Sequence, residues 1–176
     1  FEDVEMYPKP LQTPLPIFSG GNAEGSIKRA AELCQGWLPA GMGPQRIAES
    51  RDRLLAYAAA AGRDGSAVEI APQLVVCVGR TAEAAEKDFK RSQVYEHLLS
   101  LQQSTLKGFD IDSYVSMNLI GSTEQVTELI EGYRDAGASH LSGLLFVSNS
   151  VGEYLEQMQL FAETVMPRFV DRAPVA

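Results

Sequence analysis

The sequence predicts an α/β fold in which short parallel strands alternate with helices, on the plan of half a (β/α)8 barrel. Three observations carry this reading. Apolar runs at 74–78 (LVVCV) and 141–147 (LSGLLFV) suit strands buried on both faces, as in parallel sheets. Amphipathic helical stripes separate the strand candidates, and that alternation makes successive strands parallel through right-handed crossovers. The strands are few and short, which fits half of a barrel better than a doubly wound sheet. There is no internal repeat.

The elements follow in order. Residues 1–13, with Pro8, Pro10 and the nearby Pro14 and Pro16, form an extended connector, because proline fixes φ and lacks an amide donor. This opening reads as the approach to a strand rather than the beginning of a domain, so further chain is expected upstream. Pro16–Ser19 is a short strand, Gly20 and Gly21 a turn, and 23–34 a helix with Ile27, Ala30, Ala31 and Cys34 on one face. Gly36–Leu38 is a second strand. Pro44 suits the first turn of a helix running to Ala61, with Ile47, Leu54, Leu55 and Ala58 as its apolar stripe.

Ile70–Val78 is the strongest strand, and Thr81 an N-cap for a helix over 82–91. Val94, His97, Leu98 and Leu101 predict a further helix, and 107–114 a loop. Residues 122–125 (STEQ) form a capping box that opens a helix ended by Gly137. His140–Val147 is a buried strand. The last helix, 151–166, turns Tyr154, Leu155, Met158, Phe161 and Val165 inward, and Pro167 stops it.

Composition narrows the function. The 176-residue chain carries a formal net charge of −8, which opposes the basic face that nucleic-acid binding needs. No apolar run is long enough to span a bilayer. Cys34 and Cys77 both lie in apolar surroundings and read as reduced buried thiols of a cytoplasmic protein. The alanine-rich run near Ala58 hints at a bacterial source.

The strand–Gly20–Gly21–helix unit is the leading site candidate. Two glycines let the backbone approach a ligand closely, and the free amides at a helix start favour an anion such as phosphate. On spacing alone the same turn also serves as plain αβ connection chemistry, its commoner use. Arg80 follows a strand end, where barrel active-site loops lie, and reads as a solvated loop arginine. Ser148 and Asn149 read as the N-cap region of the last helix. Trp37 reads as a core aromatic.

His97 and His140 show no partner for general-base work, and His140 falls at the N-terminal end of its strand. No metal site is expected: two histidines without a carboxylate or cysteine cluster make none, and Asp110 and Asp112 lack the spacing of a calcium loop. No Ser or Cys stands in a nucleophile-elbow context.

Four stretches together resemble the C-terminal half of the luciferase-like monooxygenase superfamily, whose members include bacterial luciferase, alkanesulfonate monooxygenase and deazaflavin-dependent reductases. These are 8–16 (PKPLQTPLP), 17–23 (IFSGGNA) with 29–31 (RAA) and 36–39 (GWLP), 120–126 (IGSTEQV) with 135–141 (DAGASHL), and 161–169 (FAETVMPRF). They span nearly the whole chain in the family's order. Ala23 stands where the family often has serine, and Gln35 where an acidic residue is common.

The resemblance implies that 1–176 is a single C-terminal half-barrel region, with the first four strands absent from this chain. It implies an oxidoreductase acting on a small organic substrate, using reduced FMN with oxygen or coenzyme F420 as hydride carrier. It places the cofactor phosphate against the turn after the fifth barrel strand, so that Gly20, Gly21, Asn22, Ala23 and Ser26 are the cofactor-binding residues. It names no catalytic residue, since most groups around the reacting ring come from the N-terminal half. Such a half-barrel is expected to pair with the missing half or with another copy of the chain as a homo-oligomer, or to stand as an inactive fragment.

Overall fold

The computed structural model describes residues 2, 4–104, 107, 108 and 110–170, without the side chains of Asp112 and Val170. The first strand, β1 (Phe18–Gly20), leads into α1 (Glu24–Leu33), then β2 (Gly36–Leu38) and α2 (Pro44–Ala60). Next come β3 (Glu69–Ile70) and β4 (Gln73–Gly79). They form one line interrupted at Pro72, which has no amide to give the ladder. The line still holds to β2 around the break, because the amides of Ala71 and Gln73 donate to the carbonyls of Trp37 and Pro39.

Three helices follow: α3 (Ala82–Lys90), α4 (Gln93–Leu101) and α5 (Asp112–Ser116). Then come β5 (Leu119–Ser122), α6 (Thr123–Asp135), β6 (Ser142–Phe146), α7 (Val151–Thr164) and α8 (Pro167–Val170). The expected parallel alternation is present: every strand pair is parallel.

Gln73 fixes the strand order. It bridges Ala40 on one side and Ser142 on the other, so β2 and β6 flank the β3–β4 line on opposite edges. The result is a run β1, β2, β3–β4, β6 in sequence order, as in consecutive barrel strands. β5 takes the β2 edge of β4 further along, pairing from Val76 to Gly79.

That reversal decides where the helices go. A right-handed crossover from β4 back to β5 must pass over the face opposite to the one used by forward crossovers. Leu74, Val76 and Val78 accordingly pack with Ile27, Ile47, Tyr133 and Phe161 of α1, α2, α6 and α7. Val75 and Cys77 pack with Phe89, Leu98 and Ile111 on the other face, with α3–α5.

Two carboxamides complete the edges of β4. Asn118, 1% exposed, accepts from the Val75 amide at 2.8 Å in the gap between β2 and β5. Beyond the end of β6, Gln157 of α7 accepts from the Val78 amide at 2.9 Å and donates to its carbonyl at 3.0 Å. A seven-residue strand flanked by shorter ones thus keeps its buried backbone groups paired.

Several local expectations change. β5 was not foreseen, because four residues opening on a capping box carry little strand signal. Part of the expected 107–114 loop is the start of α5. Pro167 stops α7 as expected but also opens α8, where proline at a first helical position loses no hydrogen bond. β6 is not buried on both faces: Leu145 is 47% exposed. Phe161 and Val165 face inward, whereas Leu155 and Met158 are exposed. β6 and α7 lie at the open end of the strand run, so the faces that sequence periodicity assigns to a core have no cover.

Candidate functional site

The Gly20–Gly21 turn sits at the C-terminal end of β1 and feeds α1. Gly21 has φ +102°, in the region that favours glycine. Its amide donates to the Leu38 carbonyl at 3.3 Å, and its own carbonyl accepts from the Trp37 indole at 2.8 Å. Trp37 is fully buried, so it is the core aromatic expected, and it also clamps the turn. Asn22 spends its carboxamide on Ala40, donating to the carbonyl at 2.6 Å and accepting from the amide at 3.1 Å. The turn is therefore tied to the exit of β2 at three points, and Asn22 can offer a ligand only its backbone amide.

The start of α1 is open. Ala23 is the N-cap and supplies no side-chain acceptor. Among the described residues nothing accepts from the amides of Asn22, Ala23, Glu24 or Gly25. A Cβ on Gly20 would meet nothing within 4 Å, so its outer side is free. The Ser26 hydroxyl lies beside the turn, 2.9 Å from where a Gly21 Cβ would stand, and has no partner among the described residues. The first-turn carboxylate of Glu24 is drawn onto α2 by Arg53 at 2.7 Å and the Tyr57 hydroxyl at 2.5 Å. That hydrogen bond to the carboxylate raises the Tyr57 pKa above its ordinary value. Free amides, an unpartnered hydroxyl and a carboxylate turned aside fit a phosphate.

The sequence pattern of the luciferase-like monooxygenases matches residues 1–140, a span that contains this turn, its clamp and β4. The chain belongs to the luciferase-like monooxygenase family. No curated protein matches it in sequence. Solved structures share the fold. The monooxygenase RslO1 of Streptomyces bottropensis is 21% identical, with 93% of this chain and 51% of that one covered and a TM-score of 0.70. An F420-dependent secondary alcohol dehydrogenase, solved with an F420–acetone adduct, is 18% identical over 91% of this chain and 50% of its own, with a TM-score of 0.67. The coenzyme F420-dependent tetrahydromethanopterin reductase of Methanopyrus kandleri is 16% identical over 89% and 52%, with a TM-score of 0.63. The luciferase-like chain thus spans about half the length of these structures.

Within this luciferase-like fold the remaining candidates separate. Arg80 is exposed just past β4 and has no partner among the described residues. Ser150, rather than Ser148, caps α7 through the Glu153 amide. Asn149 accepts from the Gln93 amide and donates to the Arg91 carbonyl, joining α3, α4 and α7. Gln35 accepts from the Ile17 amide at 2.9 Å, so the residue in the family's acidic position extends the β1–β2 pairing.

His140 does have a partner, unlike the sequence reading: its Nδ1 lies 3.2 Å from a Glu69 carboxylate oxygen. Glu69 is distant in sequence, so only the sheet brings the two together. The pair stands at the N-terminal ends of the strands, beside an apolar hollow of about 370 Å3 lined by Ile130, Leu144, Phe161 and Phe169. That hollow lies at the opposite end of the strands from the Gly20–Gly21 turn. His97 is exposed on α4.

Both cysteines are free and buried. No group of three or more His, Cys, Asp or Glu residues stands together among the described residues; the side chain of Asp112 lies outside them. No described helix is long and apolar enough to cross a membrane.

Proposed function

We propose that this chain supplies the cofactor-phosphate site of a flavin-dependent luciferase-like monooxygenase acting on a small organic substrate in the cytoplasm. The observation that carries the reading is the open start of α1, where four unclaimed amides and the Ser26 hydroxyl surround a turn held in place from β2. When bound, reduced FMN would supply the chemistry with oxygen.

The chain's own residues do narrower work. Gly20 leaves room for a phosphate, and the amides of Asn22 to Gly25 donate to it. Ser26 adds a hydroxyl from the first helical turn. Trp37 and Asn22 hold the turn rigid, so little order remains to be imposed on binding. Arg53 keeps the Glu24 charge away from the anion.

Coenzyme F420 with hydride transfer is the second reading, favoured by the F420-dependent enzymes among the solved structures of this fold. Titration of the assembled barrel with FMN and with coenzyme F420, followed by fluorescence, separates the two. Saturable binding of either supports the site, and binding of neither overturns it.

A further inference from the structure

The hollow at the N-terminal ends of the strands takes no part in the site described above. Its volume of about 370 Å3 falls within the range of small-molecule sites. Its apolar walls come from Ile130 of α6, Leu144 of β6, Phe161 of α7, Met166 between α7 and α8, and Phe169 of α8.

Two features define what fits there. The first is ring surface. Phe161 is buried, and Phe146 holds it edge to face with ring centroids 5.6 Å apart, so one wall is a fixed aromatic ring. Phe169 adds a second ring and Met166 a thioether. Rings and sulfur of this kind make specific contacts with another aromatic ring.

The second feature is an unspent guanidinium. Arg134 lines the hollow and stands 4.0 Å from Glu131 and 3.7 Å from Asp135, too far for hydrogen bonds. It makes no side-chain hydrogen bond among the described residues. Both acids are exposed, Asp135 at 76%, so solvent screens their hold on it. A guanidinium offers paired N–H donors that match a carboxylate. His140 is a poorer anchor, because its Nδ1 is already taken by Glu69.

We propose that this hollow binds a planar aromatic carboxylate of about two fused rings, the rings against Phe161 and Phe169 and the carboxylate on Arg134. The hollow and the Gly20–Gly21 turn lie at opposite ends of the strands, so the inference does not rest on the cofactor reading.

Calorimetric titration of the whole chain with 2-naphthoate tests this. Saturable one-site binding with a Kd at or below about 1 mM is expected. The 2-naphthylmethylammonium ion has the same rings and the opposite charge, and it should bind at least about tenfold more weakly. Arg134→Gln should weaken 2-naphthoate about tenfold and bring the two probes close to equal affinity. Met166→Glu sets a like charge in the wall and should weaken 2-naphthoate by a similar factor. Arg134 and Met166 are both about half exposed, so both variants should keep the parent thermal midpoint to within a few degrees. The proposal is overturned by no saturable binding of 2-naphthoate, by equal affinity for the two probes in the parent chain, or by an affinity that either variant leaves unchanged. A dimer in sedimentation that Met166→Glu dissociates would also overturn it, since a second copy would then fill the hollow.

Discussion

The indole Nε1 of Trp37 donates to the Gly21 carbonyl at 2.8 Å, joining a fully buried aromatic of the core to the turn at the start of α1. Trp37 sits in β2 and its indole bonds the turn that follows the neighbouring β1. Core packing thereby fixes the position of the free amides at the start of α1.

Replacing Trp37 with phenylalanine keeps an aromatic ring but removes the donor and part of the volume. A net hydrogen bond and a small cavity together predict a loss of about 2 kcal/mol in urea unfolding. The variant should also bind phosphate-bearing ligands more weakly, because the turn is released. A stability change below about 0.5 kcal/mol would show that the clamp is idle.

Ala23 is an N-cap without a side-chain acceptor. Ala23→Ser restores one and should stabilise the protein by about 1 kcal/mol. In a chain of this size that raises the thermal midpoint by roughly 2–4 °C. An unchanged or lowered midpoint would mean that the backbone at 23 does not accept a capping geometry.

Gln157 satisfies both the amide and the carbonyl of Val78. Gln157→Glu keeps the acceptor but sets a carboxylate oxygen against the Val78 carbonyl. The variant should be destabilised by about 2 kcal/mol at pH 7. Its folded-state carboxyl pKa is raised, so the missing stability should return as pH falls and the acid regains a proton to donate. Denaturant midpoints at pH 7 and pH 5 check this, and equal losses at both would contradict the bidentate role.

Burial pushes the Cys77 thiol up from 9.0 to about 12, with the Asp88 charge adding to the effect. Because the folded-state value is raised, the stability linked to the neutral thiol is whole below pH 9. It is lost as pH rises from 9 to 12. At pH 8 a thiol reagent should label Cys77 only after unfolding, and rapid labelling of the native protein would refute its burial.

Much of this was legible in the sequence, and the failures share a cause. The capping box, the Gly137 helix stop and β2 are local features, and local chemistry sets them. The Gly20–Gly21 turn was legible as spacing, but its clamp was not. Trp37 and Gly21 are sixteen residues apart, and nothing in either neighbourhood signals that they meet. Asn118 and Gln157 look like ordinary polar helix-end and helix residues until the unpaired groups of β4 are traced. The Glu69–His140 pair likewise depends on strand order. Periodicity placed Leu155 and Met158 in a core because it reports which face is apolar, not whether a partner covers it.

The proposed role of the start of α1 is to hold a phosphate. The direct measurement compares the affinity of the assembled barrel for FMN and for riboflavin, which lacks the phosphate. It is then repeated with Gly20→Asp, a position where a Cβ meets nothing within 4 Å. The parent protein should prefer FMN by at least about tenfold, or about 1.4 kcal/mol. In the variant, charge repulsion at an intact turn should bring that preference close to one. Equal affinity for FMN and riboflavin in the parent protein, or a preference that survives Gly20→Asp, would contradict a phosphate site at the start of α1.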